Sequence, residues 1–203
     1  PVTAEIVQLR MKIFLRSPLR RKLLVRTMRL LDKVNGQEVL ETSADDAFSV
    51  AMQNAGGGGG GNWSSLAVSE TQAELLAEAG VPRIHLGVLP ELPFAESAFD
   101  VVVASDMLEY VEKPAELMAE LHRVMRSRTR LILHVRRKRR TLVELFRKLS
   151  GLTDPTRPQV RPGFTPAELF DVLKDGFDVQ ETTGYGRFFT EFANLLAELF
   201  AGV

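Results

Sequence analysis

The densest set of ligand-binding groups in the chain is Arg136-Arg137-Lys138-Arg139-Arg140, directly after the apolar run Leu131-Ile132-Leu133-His134-Val135. Five consecutive cations could receive a phosphate, a nucleic acid or a lipid headgroup, or could simply be a solvated loop and helix start. No aromatic residue is interleaved with them, so the stacking platform of a single-strand binder is missing and nucleic acid is disfavoured. Composition narrows the other chemistries. There is no cysteine, which removes disulfides, thiolate nucleophiles and cysteine zinc sites and suits a reducing compartment such as the cytoplasm. His85, His122 and His134 are scattered and lack metal-ligand spacing, so no metal is expected. The glycines Gly56 to Gly61 read as a mobile linker. A phosphate cradle would need glycines at chosen positions between a strand and a helix, finished by a lysine or hydroxyl.

The elements that must position such groups are legible around residues 92 to 135. Phe99 to Ala104 is an uninterrupted apolar run bounded by Glu96-Ser97 and Ser105-Asp106, the pattern of a buried central strand. Lys113-Pro114 opens a helix whose apolar stripe is Leu117, Met118, Leu121, Val124 and Met125. Leu131 to Val135 is the next strand, so strand, helix and strand form a parallel βαβ unit. Upstream, residues 3 to 34 predict two basic amphipathic helices broken at Ser17-Pro18. Strands are expected at Gly36 to Glu41, Trp63 to Val68 and Arg83 to Gly87, with helices at Phe48 to Asn54 and Glu70 to Ala79, the latter capped by Ser69. Downstream, a short helix at Thr141 to Leu149 precedes a second, through Lys174, capped by Thr165 with Pro166 in its first turn. Two final strands, Phe177 to Thr182 and Tyr185 to Phe189, and an apolar tail helix, Phe192 to Phe200, complete the chain.

The segment Leu92-Pro93-Phe94 through Phe99-Asp100, the strand, and the helix ending Arg123-Val124-Met125 resembles the central part of class I S-adenosylmethionine-dependent methyltransferases of the type 11 kind. The broader alternation extends the likeness over residues 30 to 190. It implies an α/β, Rossmann-like three-layer sandwich. The mostly parallel seven-stranded sheet would be closed by an antiparallel C-terminal hairpin, with the N-terminal helices capping the substrate side. The division expected is an N-terminal helical arm, 1 to 34, and the Rossmann domain, 35 to 203.

The resemblance also implies where S-adenosyl-L-methionine would sit. Its positions fall on Glu41, Ser43, Asp45, Ala67, Val88, Leu89 and Ser105, with Asp106 and Tyr110 toward a substrate. The family's turn after the first strand, an acid followed by three alternating glycines, reads here Glu41-Thr42-Ser43-Ala44-Asp45-Asp46-Ala47. Side chains replace all three glycines, and Asp45 would meet the cofactor's own carboxylate. The family's acid for the ribose hydroxyls falls on Ala67, with Glu70 the nearest acid that could substitute, and its acid for the adenine amine falls on Val88. The altered pattern predicts a cofactor-free binding or scaffolding protein. Two alternatives stay open: an active methyltransferase on a small-molecule or lipid-linked acceptor, and a cleft reassigned to an anionic ligand or membrane surface.

Charge patterning bears on the partner. The net charge is zero, yet residues 1 to 33 carry nine Lys/Arg against two acids, residues 34 to 120 two against fifteen, and residues 121 to 150 eleven against one. Such blocks either pair within the fold or face an anionic partner. The partner expected is a protein or a small molecule. An anionic membrane surface could be met through the N-terminal helices, Arg136 to Arg140 or the tail helix, which would place the protein at a membrane periphery. No stretch reaches the ~18 consecutive apolar residues of a membrane span.

Overall fold

The computed structural model describes residues 2–31, 34–43, 46–55, 61–138 and 160–184. Two helices lead, α1 (Val2–Arg16) and α2 (Pro18–Leu30). Ser17 separates them and caps the second, its hydroxyl accepting the Arg20 N–H at 3.1 Å, with Pro18 in the first turn. The strands β1 (Glu38–Ser43), β2 (Asn62–Ala67), β3 (Ile84–Leu86), β4 (Phe99–Ser105) and β5 (Met125–His134) alternate with α3 (Asp46–Asn54), α4 (Glu70–Glu78) and α5 (Pro114–Val124). A last helix, α6 (Pro166–Leu173), follows.

All described strands pair in parallel, in the order β3-β2-β1-β4-β5. The order reverses between β1 and β4, which opens the ligand crevice at their carboxyl ends. Because side chains alternate across a strand, β4 feeds both faces of the sheet. Val102 and Ala104 join Leu40, Leu66, Leu117 and Leu121 in one core, while Val101 and Val103 join Phe14, Val39, Phe48 and Trp63 in the other. The first core is roofed by α5 and α6, and the second by α1, α2 and α3.

The helix caps follow the expectation: Ser69 accepts the Gln72 N–H, and Thr165 and Glu168 form a reciprocal capping box. Three expectations change. The sheet has five strands among the described residues, all parallel, in place of seven with a hairpin. Residues 177–182 enter no ladder, and a strand exists only where a partner supplies one; Phe177 instead packs its ring edge against His122 at 5.7 Å. Their expected partner, Tyr185 to Phe189, lies outside the described residues, as do Asp45, Arg139, Arg140, the helix at 141 to 149 and the tail helix. Finally, β5 begins at Met125, the last residue of the expected helix stripe, and not at Leu131, so that Ser127-Arg128-Thr129 lie within the strand. A register irregularity between Phe99 and Val101 with Arg128 at φ 60° accommodates them, so the strand continues past the extra residues.

One backbone crossing fixes the return of the chain after β5. Lys138 N–H donates to Phe164 O at 2.9 Å and Phe164 N–H to Arg136 O at 2.8 Å, a parallel bridge between Arg137 and Phe164. Gly163 makes it feasible: its φ is 134°, and a Cβ there would stand 2.3 Å from the Arg136 carbonyl oxygen. Gly163→Ala should therefore cost about 3 kcal/mol, from the strained backbone and the forced parting of the two segments. Denaturant titration checks this: a midpoint shift with unchanged slope is expected, and an unchanged midpoint would mean the crossing carries no stability.

Candidate functional site

The carboxyl ends of the five strands form the edge at which an open parallel sheet receives ligands. Glu41 and Ser43 lie near the end of β1, Ala67 ends β2, Ser105 ends β4, and all four are buried. Glu41 is fully enclosed beneath the edge, its Oε1 accepting the Ser49 hydroxyl at 2.8 Å from α3. Between β1 and β2 the edge is bridged by Gln72 of α4. Its side-chain amide donates to Ser43 O at 2.8 Å and its oxygen accepts the Val68 N–H at 3.0 Å, with the residue 2% exposed. Beyond β3, Val88 is 82% exposed, whereas Leu89 leans on the core under α5. Glu70, the nearest acid past β2, stands on the surface in the first turn of α4.

Across β4 and β5 a different polar system appears. His134 ends β5, and its Nδ1 lies 2.7 Å from Ser105 Oγ while its Nε2 lies 3.2 Å from Thr27 Oγ1 of α2. The Thr27 hydroxyl already donates to Leu23 O at 2.9 Å, so it accepts from Nε2–H and leaves Nδ1 to accept from Ser105. The ring packs edge-on against Phe48 with centroids 5.8 Å apart. Desolvation holds its pKa down at about 4, so the imidazole is neutral.

The turn after β4 carries the second buried titratable group. Asp106 sits in the left-handed region at φ 52°, its N–H donating to His134 O at 3.0 Å. This bend swings Glu109 inward. Its Oε1 accepts the Arg136 backbone N–H, its Oε2 has no hydrogen-bond partner among the described residues, and its own carbonyl accepts the Val160 N–H at 2.9 Å. Burial, helped by the nearby Asp106 charge, pushes its pKa up to about 7. Neither Glu109 nor Gln72 stands out in the sequence, because each reaches a partner far along the chain, Arg136 and Ser43 respectively. His134 had a faint signal, a polar residue inside an apolar strand run.

An open groove of about 1800 Å³ runs the length of β5, from Ser97 and Met125 at the amino end to Ser105 and Arg136 at the carboxyl edge, walled by α2, β5 and the segment 164–184. Ser43, Ser105, Asp106, Arg136 and Arg137 reach it, while Glu41, Ala67, Val88, Leu89 and Tyr110 do not. Among the described basic residues after β5, Lys138 is turned away to Glu168 at 3.1 Å. The expected cofactor positions are thus split: the β1 and β4 ends touch the groove, and the β2 and β3 positions lie off it.

The two buried groups make opposite demands on pH. His134, depressed when folded, contributes stability that is complete above its ordinary 6.5 and lost as pH falls toward about 4. Glu109, raised when folded, contributes stability that is complete below its ordinary 4.5 and lost as pH rises toward about 7. Each effect is worth about 3 kcal/mol, so between pH 4.5 and 6.5 they offset one another. Glu109→Gln should remove the alkaline loss and His134→Gln the acidic one. Denaturation free energies across this window, read as the difference from the parent, should slope in opposite directions for the two variants; parallel curves would refute the assignment.

Residues 54–133 match the family described as Methyltransferase domain. No curated protein matches the chain. Among solved structures, it is similar to an S-adenosylmethionine-dependent methyltransferase from Aquifex aeolicus, with TM-score 0.56 and 16% identity over 80% of this chain and 84% of that one. One from Thermotoga maritima gives 0.58 and 16% over 80% and 72%, and one from Methanosarcina mazei 0.54 and 18% over 73% and 82%. At such identities the likeness speaks for the fold alone. Residues 54–133 thus carry the match to the Methyltransferase domain family, and the chain around them has the fold of the S-adenosylmethionine-dependent methyltransferases it is similar to.

Proposed function

We propose that this protein uses the methyltransferase fold as a binding scaffold and does not hold S-adenosyl-L-methionine at the edge where its family seats that cofactor. The observation that carries the reading is the Gln72 bridge. A nucleoside lying across the ends of β1 and β2 needs backbone and carboxylate groups free to meet its ribose and base. Here the Ser43 carbonyl and the Val68 N–H are both engaged by the protein's own amide. Ala67 presents only a methyl group, and Val88 turns an isopropyl group to solvent. This donor set does not fit an adenosyl ligand, and no chemical step is derived through one. The groove beside β4 and β5 is the better seat for a protein segment or small molecule, and Arg136 and Arg137 on its wall favour an anionic one.

Calorimetric titration with S-adenosylmethionine and its demethylated product, together with thermal melting at millimolar ligand, tests this. A ligand at 100 times its dissociation constant would stabilise by about 2.7 kcal/mol and raise the melting temperature by several degrees. No heat and no shift are expected. Micromolar binding would overturn the reading in favour of an active methyltransferase on a small or lipid-linked acceptor.

The bridge itself makes a separate prediction. Gln72→Ala leaves a buried carbonyl and a part-buried N–H unsatisfied and should lower stability by about 2 kcal/mol. Equilibrium unfolding measures it. A neutral substitution would mean that water replaces the amide freely and that the edge is open.

A further inference from the structure

We propose that the outer face of α1 and α2 docks the protein on an anionic phospholipid surface. The inner face of this helix pair is fully committed: Phe14 and Thr27 are completely buried, and Met11, Leu23, Leu24 and Met28 pack against the cores. The pair is therefore a fixed plate. Its outer face carries two kinds of group that solvent alone does not explain together. Leu15 is 54% exposed, Val25 51%, Leu9 44% and Ile6 38%, four of the largest exposed aliphatics in the described chain. Among and beside them stand Lys12, Arg16, Arg21 and Arg29, none of which has an ion-pair partner among the described residues.

The charges are sorted by face. Arg10 and Arg26, which turn inward, are paired with Asp46 and Glu181. Lys12, Arg16, Arg21 and Arg29 have no ion-pair partner among the described residues, and Glu5 is the one acid in the two helices. In α2, Arg21, Val25 and Arg29 recur every fourth residue on one line; in α1, Leu9, Lys12 and Leu15 with Arg16 do the same at steps of three and four. Aliphatic side chains set among free cations match a lipid interface, where the chains enter the headgroup boundary and the cations meet phosphate and carboxylate. Nucleic acid offers the cations a partner but gives Leu15, Val25, Leu9 and Ile6 nothing to bury against, and the face has no exposed aromatic for stacking. Docked this way, α2 stands between the lipid and the groove that its inner flank lines.

The test is co-sedimentation of the full chain with phosphatidylcholine vesicles, with and without phosphatidylserine. Binding should require phosphatidylserine, fall with added salt, and weaken about fivefold for each cation removed in Arg16→Ser, Arg21→Ser and Arg29→Ser. Leu15→Ser with Val25→Ser should also weaken it, and because both sites are exposed, unchanged melting temperatures are expected to separate docking from folding. Arg137→Ser, on the groove, should bind as the parent does. No binding to phosphatidylserine vesicles, binding indifferent to the α1–α2 substitutions, loss through Arg137→Ser alone, or selective capture of RNA or duplex DNA in place of vesicles would each overturn the proposal.

Discussion

The structure depends on β4 being apolar on both faces. A strand that pairs on each side and carries Val101, Val102, Val103 and Ala104 in succession can satisfy its backbone and lose its side chains from water only at the centre of a covered sheet. Its alternating residues then seed two cores at once. Val102 and Ala104 call for α5 and α6 on one face, while Val101 and Val103 call for α1, α2 and α3 on the other. At about 25 cal/mol per Å² of apolar surface, burial of this strand and its neighbours is the main favourable contribution to the sheet. The N-terminal helices thus serve as the second roof, without which Val39, Phe48 and Trp63 would be left against water.

Polar groups at the carboxyl edge divide along the same seam. Toward β2 and β3 they are joined by Gln72, which ties two strand ends together. Toward β4 and β5 they are tied by His134 to α2 and by Glu109 to the loop at residues 160 and 161. A neutral imidazole and a carboxyl held well above its ordinary range, both buried, keep this side rigid while the groove beside them stays open. Here the edge contacts are internal, and the features left facing outward are a cation-edged groove and a cationic, aliphatic helical plate.

Much of the fold was legible because its signals are local. The run from Phe99 to Ala104, the proline at 114, and the caps Ser69 and Thr165 each act within a few residues, and the elements they mark stand where expected, whereas β5 starts at Met125, well before the expected Leu131. The site was legible only where it coincides with those elements. Ser43, Ala67 and Ser105 fall at strand ends as the spacing predicts, yet spacing could not say that Ser43 and Ser105 line the groove while Ala67 lies off it. The final strand pair failed as an expectation at 177–182, since alternation in Phe177 and Val179 signals a strand but cannot supply its partner.

The sequence by itself determined the alternation of strands and helices, the central position of β4 and the two basic helices. Periodicity, turn chemistry and composition are properties of neighbouring residues. Tertiary structure alone decided which polar groups meet. Gln72 reaches Ser43 across 29 positions, His134 reaches Thr27 across 107, and Arg136 closes on Glu109 across 27. Those contacts exist because parallel crossovers bring distant strand ends to one edge, and burial there fixes the protonation of His134 and Glu109.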